Sequence, residues 1–202
     1  HQLNESLHRL GVPSIYGLLL HCPQQLLEPG NENLWTALLK LKEQGLVKKI
    51  GYSLYGPNEL EQLWSQFKPD IVQAPYNIFD RRMATSGWFK RLKDEGIEIH
   101  GRSTFLQGLL LLDKHKRPNK FEKWSDHWQL WDRWLEQNRI TPLQAALAFS
   151  LAEDKVNKVI VGIDNCVQLK EILEGVDTSI KDFPEELSIT DEQLINPSNW
   201  TY

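Results

Sequence analysis

Two stretches of this 202-residue chain nearly repeat one another, and that repeat constrains the fold more than any other feature. "LKEQGLVKKIGYS" ends at Ser53 and "LKDEGIEIHGRS" ends at Ser103. Each runs from the end of a helix through a charged turn and a glycine into a short strand closed by Gly-x-Ser. A helix that feeds repeatedly into a strand of the same direction is the building unit of a parallel sheet. In such sheets the ligand-facing residues stand where the strands end.

Read along the chain, the pattern recurs. Leu3 to Leu10 has helical spacing with Gly11 as its cap. The apolar run Ile15-Tyr16-Gly17-Leu18-Leu19-Leu20 follows, ends in His21-Cys22-Pro23, and reads as a strand covered on both faces. Glu32 to Gln44 is amphipathic, and Val47 to Ser53 is the next strand. Asn58 to Phe67 is a short helix, and Ile71 to Pro75 is a strand carrying a buried glutamine, Gln73. Trp88 to Glu95 is helical, and Ile97 to Ser103 is a strand. Pro at the first turn starts a helix from Thr141-Pro142 to Leu151, Val156 to Gly162 is the last strand, and Asn165 with Gln168 caps a helix over Val167 to Leu173. The order is one helix and then five βα units in a single domain over residues 1–202, with an insertion at 106–140 and a tail at 177–202 that holds a short helix at Asp191 to Leu194. Within the insertion, Trp124, Trp128, Trp131 and Trp134 share one helix face. That face reads as packing, with an aromatic lid over a site as the sharper alternative.

Five consecutive parallel units imply a barrel or a doubly wound sheet. No Gly-rich loop follows the first strand, so the dinucleotide fingerprint of the doubly wound fold is absent. An eight-unit barrel takes about 250 residues, and five strands cannot close one. The chain begins at His1 and its only methionine is Met83, so a preceding segment of about three units is expected.

Composition removes several function classes. A net charge of −4 with interspersed Lys and Arg gives no electrostatic footprint for nucleic acid. No apolar window of about 18 residues exists, so no membrane span is expected. Cys22 and Cys166 have neither disulfide-framework nor metal-site spacing; both read as inert small apolar residues in a reducing cytoplasm. Gathered at the strand ends are His21, Ser53, Gln73, Arg102 with Ser103, and Gly162. By itself His21 reads first as a hydrogen-bonded histidine at a strand edge.

Five motifs in order, "LLLHCP", "WTALLKLKEQGLVKKIGYS", "DIVQAPYNIFDRR", "RSTFLQGLLLL" and "VIVGIDNCVQLKEI", resemble the aldo-keto reductases from the third barrel helix to the eighth. The fourth is similar to a branch tied to surface-polysaccharide or flagellar modification. The resemblance implies an N-terminally incomplete (β/α)8 TIM barrel and NADP-dependent (or NAD-dependent) reduction of an aldehyde, ketone or sugar carbonyl. It implies His21 as the histidine that orients the carbonyl oxygen. Ser53 and Gln73 match the nicotinamide carboxamide site, Arg102 the ring-stacking position, and Ser103 to Gly108 the pyrophosphate loop. Gly162, Gln168 and Glu171 match the adenosine site. The chain departs from the family at Leu54, where an asparagine is usual, and at Gly162 and Gln168, where basic residues are usual. The segment expected to hold the catalytic tyrosine, lysine and aspartate lies before His1. A non-catalytic cofactor-binding or scaffold subunit is the alternative, whereas an aldolase or sugar-phosphate isomerase would need a lysine or carboxylate at a strand end.

Overall fold

In each near-repeat the same local event turns helix into strand. A computed structural model describes residues 2–180 and 182–200. Helix α2, Glu32–Glu43, which follows α1 at Gln2–Leu10 and β1 at Ile15–Leu20, ends at Gly45 with φ +72, and Leu46 N–H donates back to Leu41 O. Later in the chain Gly96, φ +71, is followed by Ile97 N–H donating to Leu92 O. Glycine adopts this left-handed state without strain, and the reversed bond satisfies a carbonyl the helix leaves open. The chain is then aimed back along the sheet.

The remaining elements are β2 Val47–Ser53, α3 Pro57–Leu63, β3 Ile71–Pro75, α4 Arg82–Thr85, α5 Trp88–Asp94, β4 Glu98–Arg102, α6 Ser125–Asn138, α7 Pro142–Ala152, β5 Lys158–Val159, α8 Cys166–Gly175 and α9 Glu192–Ile195. The five strands form one parallel sheet in sequence order. Side chains alternate across it. Ile50 and Tyr52 of β2, Val72 and Ala74 of β3 and Ile99 of β4 point to the helix-covered side, each 1% exposed or less. Burying one such aliphatic side chain stabilises by about 1.5–3 kcal/mol. The opposite side carries Lys49, Ser53, Gln73, Glu98, His100 and Arg102. On β2 the backbone approach is close at Gly51, where a Cβ would lie 1.7 Å from Ile71 O.

Several sequence expectations are corrected. β1 is only partly covered, with Tyr16 47% exposed, because among the described residues it has a ladder partner on one side only. Val156 to Gly162 contracts to the two residues of β5, extended by single bonds from Asn157 N–H to Ile99 O and from Ile160 N–H to Gly101 O. The reason lies in β4: Ser103 turns left-handed at φ 63, so Val161 and Gly162 have no partner strand beside them. The same turn ends β4 at Arg102. Helix α3 stops at Leu63, and turns carry on to Phe67. Cys22 and Cys166 are free, as their spacing implies, and both are exposed. Thr201 and Tyr202, at the end of the expected tail, lie outside the described residues.

The tryptophan face is packing. Trp128, Trp131 and Trp134 of α6 are buried, and Phe79 lies 5.2 Å from Trp128 and 5.7 Å from Trp131 by ring centroid. Between β4 and α6 the chain runs through short 3-10 turns at Leu109–Leu111, Lys114–Lys116 and Asn119–Trp124. Arg117 there lies 4.5 Å from the Trp128 ring and pairs with both oxygens of Asp132.

Candidate active site

The register assembles the strand ends. Leu20 pairs with Tyr52 and Ser53 with Gln73, so one further step puts His21 beside Ser53. Gln73 pairs with His100, and Arg102 follows two residues on, on the same side of the sheet. Crosslinks hold the loops that follow. Leu54 N–H donates to Gln73 O at 2.8 Å, Tyr76 N–H to Arg102 O at 2.9 Å, and Arg102 Nη2 to Leu54 O at 2.8 Å.

Arg102 is fixed on three sides: by Leu54 O, by Ser103 Oγ at 3.0 Å, and by the Tyr55 ring 5.0 Å from its guanidinium. Burial lowers its pKa from the usual value while nearby acidic groups oppose that shift. Its Nε is buried without a partner among the described residues, as is the Thr104 hydroxyl. Buried polar groups are normally satisfied, and both of these orphans belong to residues that line the first cleft described below.

The loop that begins at Ser103 is strained. Ser103, Leu106 and Gln107 have φ of 63, 47 and 54, all in the left-handed region that L side chains rarely adopt, and Gly108 follows at 81. Asn77, fully buried, holds the start of this loop: its Nδ2 donates to Ser103 O at 3.0 Å while its Oδ1 accepts from Phe79 and Asp80 N–H. Asp80 in turn is paired with Arg82 through both carboxylate oxygens.

Two adjoining clefts open over these residues. The first, about 610 Å³, is lined by Gln73, Arg102, Ser103, Thr104, Gln107, Gly108, Gly162, Asp164, Gln168 and Glu171, among others. The second, about 780 Å³, is lined by His21, Ser53, Tyr55, Gln73, Arg102, Gln107, Phe121 and Trp200, among others. All nine sequence-derived site residues therefore border one cleft or both, and Gln73 and Arg102 stand on the wall they share. His21 is exposed, with Nδ1 3.7 Å from Cys22 Sγ. Helix α8 begins at the first cleft: Asn165 Oδ1 caps Gln168 N–H at 3.0 Å, and Gln168 Oε1 accepts from Asp164 N–H at 2.7 Å. Sequence reading missed Tyr55, Phe121, Asn77 and Trp200. No motif marks the aromatics, which come from separate loops.

Deeper on the same face lies a second polar group. Glu98 accepts hydrogen bonds from Tyr16 and Lys49 and lies 2.7 Å from His100 Nε2. Burial pushes the Glu98 carboxyl up, but the bonds from Lys49, Tyr16 and His100 outweigh it and pull the pKa down to about 2. Among the described residues there is no group of three or more His, Cys, Asp or Glu placed to hold a metal ion. Nor is any helix there long and apolar enough to cross a membrane.

Comparison with known proteins decides the family, since residues 1–189 match the model of the Aldo/keto reductase family. The chain belongs to this family. It is 23% identical over 216 residues to the L-glyceraldehyde 3-phosphate reductase of Escherichia coli O157:H7, an alignment covering 95% of this chain and 62% of that protein. An uncharacterized oxidoreductase of Bacillus subtilis is 31% identical over 108 residues, 52% of this chain and 36% of the relative. Among solved structures, an aldo-keto reductase from Bacillus halodurans superposes with a TM-score of 0.68 at 22% identity, over 92% of this chain and 64% of that one. The chain thus spans about three fifths of the length of these two reductases. Its five βα units are part of a (β/α)8 barrel.

Proposed function

We propose that this aldo-keto reductase chain carries the nicotinamide-dinucleotide cleft and the carbonyl-orienting histidine of an NAD(P)H-dependent oxidoreductase acting on a small aldehyde, ketone or sugar carbonyl. The observation that carries the reading is the meeting of two clefts at Gln73 and Arg102, with Ser53 and His21 on one side and the Ser103–Gly108 loop on the other. The unpartnered Arg102 Nε and Thr104 hydroxyl fit a ligand rich in acceptor oxygens, as a dinucleotide is.

The bound dinucleotide supplies the hydride. Ser53 and Gln73 bond the nicotinamide carboxamide and so fix which ring face is offered. Arg102, already stacked on Tyr55, lays its planar guanidinium against the nicotinamide. The Ser103–Gly108 loop holds the pyrophosphate, and Gly162, Gln168 and Glu171 hold the adenosine at the start of α8, where backbone N–H groups favour phosphate. His21 donates to the carbonyl oxygen, polarising it and setting its distance from the hydride.

NADP is the family expectation for the cofactor. Asp164 and Glu171 on the wall of the first cleft, where Arg102 is the only Lys or Arg among the described residues, favour NAD instead, because a 2′-phosphate would meet two carboxylates. NADPH is therefore expected to bind no tighter than NADH. The direct test is loss of NADH or NADPH absorbance when aldehydes are added to the protein that carries, ahead of this chain, the segment expected to hold the tyrosine, lysine and aspartate. His21→Ala should lower turnover by about 10²- to 10³-fold with little change in cofactor affinity. Equal loss of both would remove the role given to His21. Tight cofactor binding with no turnover of any carbonyl would instead support the non-catalytic scaffold.

A further inference from the structure

Arg82 lines neither of the two large clefts, yet segments that border both are joined at it. Its Nε and Nη2 donate to the two oxygens of Asp80, each at 2.9 Å, its Nη2 also to Tyr55 O at 2.9 Å, and its Nη1 to Glu192 Oε1 at 2.6 Å. A planar guanidinium holds three partners in a fixed geometry that an ammonium does not reproduce. Two routes reach it from the first cleft. The Tyr55 ring carries the Arg102 guanidinium, and Asp80 N–H is bonded to Asn77, which holds Ser103 O. Both Arg102 and Ser103 line that cleft. On the far side Glu192 opens α9. Asn199 Nδ2 donates to Glu192 O at 3.2 Å and Trp200 Nε1 to Leu194 O at 3.1 Å, so the turn with Pro197, Ser198 and Trp200 is tied to α9. Those three residues wall the second cleft, with Trp200 edge-on to Phe121 at 4.9 Å. Asp80 is 1% exposed and the Arg82 side chain 13%, whereas Glu192 is 56% exposed. The inner half of the linkage is shielded from water, and its outer half is one exposed pair that a substitution can cut.

We infer that Arg82 is a positioning residue that couples the two clefts: a dinucleotide in the first, by holding Arg102 and Ser103, keeps Tyr55 and Asp80 on Arg82 and so keeps the tail docked against the second. The inference rests on the proposed function, since it takes the first cleft as the place of the dinucleotide. The element with two states is the tail, docked on Phe121 and the Arg82 guanidinium or lifted from them. A terminal segment held by a few side-chain bonds opens locally at low cost. Linkage makes the effect reciprocal: the factor by which the ligand favours docking is the factor by which docking favours the ligand.

ADP-ribose is the probe, because it can fill the first cleft without a nicotinamide ring to touch the second. Backbone hydrogen exchange of the full chain is followed by mass spectrometry, with and without saturating ADP-ribose, over residues 192–200, where the Leu194, Ile195, Asn196 and Trp200 amides are bonded within the tail. ADP-ribose should slow exchange there about fivefold. In Glu192→Gln the slowing should vanish while ADP-ribose still binds, up to about fivefold more weakly. Arg82→Gln should do the same, but it strips a buried carboxylate of its partner, so Glu192→Gln carries the test if that variant does not fold. A purely structural role would raise exchange alike with and without the ligand and leave their ratio unchanged. No slowing in the parent chain, or slowing that survives Glu192→Gln, overturns the inference and leaves the cofactor reading intact. Absence of ADP-ribose binding also overturns the inference, and absence of NADH binding as well overturns the cofactor reading with it.

Discussion

The two faces of the sheet answer to different physics. The helix-covered face is apolar where the strands pack: Ile50, Tyr52, Val72, Ala74 and Ile99 are all but sealed from solvent. The other face carries Lys49, Ser53, Gln73, Glu98, His100 and Arg102 on the same three strands. One residue of slip would exchange the two sets. The apolar set fixes that register, and the polar set is thereby delivered to one concave side. Stability and chemistry are written into alternate residues of the same strands.

The largest expected effect tests the first face. Ile99→Ala should cost about 2–5 kcal/mol in chemical denaturation, while the fraction still folded binds dinucleotide with unchanged affinity. A parallel loss of affinity would mean that the faces are not separable. On the second face the expected effects fall on binding. Asn77→Asp keeps the acceptor that Phe79 and Asp80 N–H use but removes the donor to Ser103 O. Dinucleotide affinity should fall about tenfold, the worth of one bond placed to hold a left-handed turn. Ser103→Gly, free of the φ cost, should make the same Asn77 substitution nearly silent; additive effects would deny that the two residues act through one another.

A smaller effect concerns acid. The folded Glu98 pKa of about 2 lies below its ordinary 4.5. Its contribution to stability is complete above pH 4.5 and is lost as pH falls from there toward 2. Glu98→Gln should flatten the stability profile in that window. An unchanged profile would show that the Tyr16, Lys49 and His100 bonds do not survive in solution. Least affected should be Leu39→Ala on α2, a side chain 41% exposed, where stability should move by about 0.5 kcal/mol or less.

Much of this was legible in the sequence, and for a definable reason. Period and punctuation are local: Gly45 and Gly96, the apolar runs and Thr141-Pro142 each act within a few residues, and β2, β3 and α7 lie where the pattern puts them. The strand ends could be collected because a parallel sheet aligns them. What stayed hidden depends on distance or on a neighbour. β5 is short because β4 bends at Ser103, which no feature of residues 156–162 announces. Tyr16 meets Glu98 across 82 positions. Asn77 reads as an ordinary turn residue until Ser103 is seen above it. Trp200 and Phe121 reach the second cleft from loops with no helical or strand period.

The central claim is that the polar face, and not the apolar one, holds a nicotinamide dinucleotide. Calorimetric titration of the full chain with NADH and NADPH tests it most directly, repeated on Gln73→Leu, which changes the shared wall of the two clefts. Saturable binding with one site per chain, weakened by Gln73→Leu at an unchanged melting temperature, is the predicted result. No saturable binding of either dinucleotide, or binding indifferent to Gln73→Leu, would contradict it.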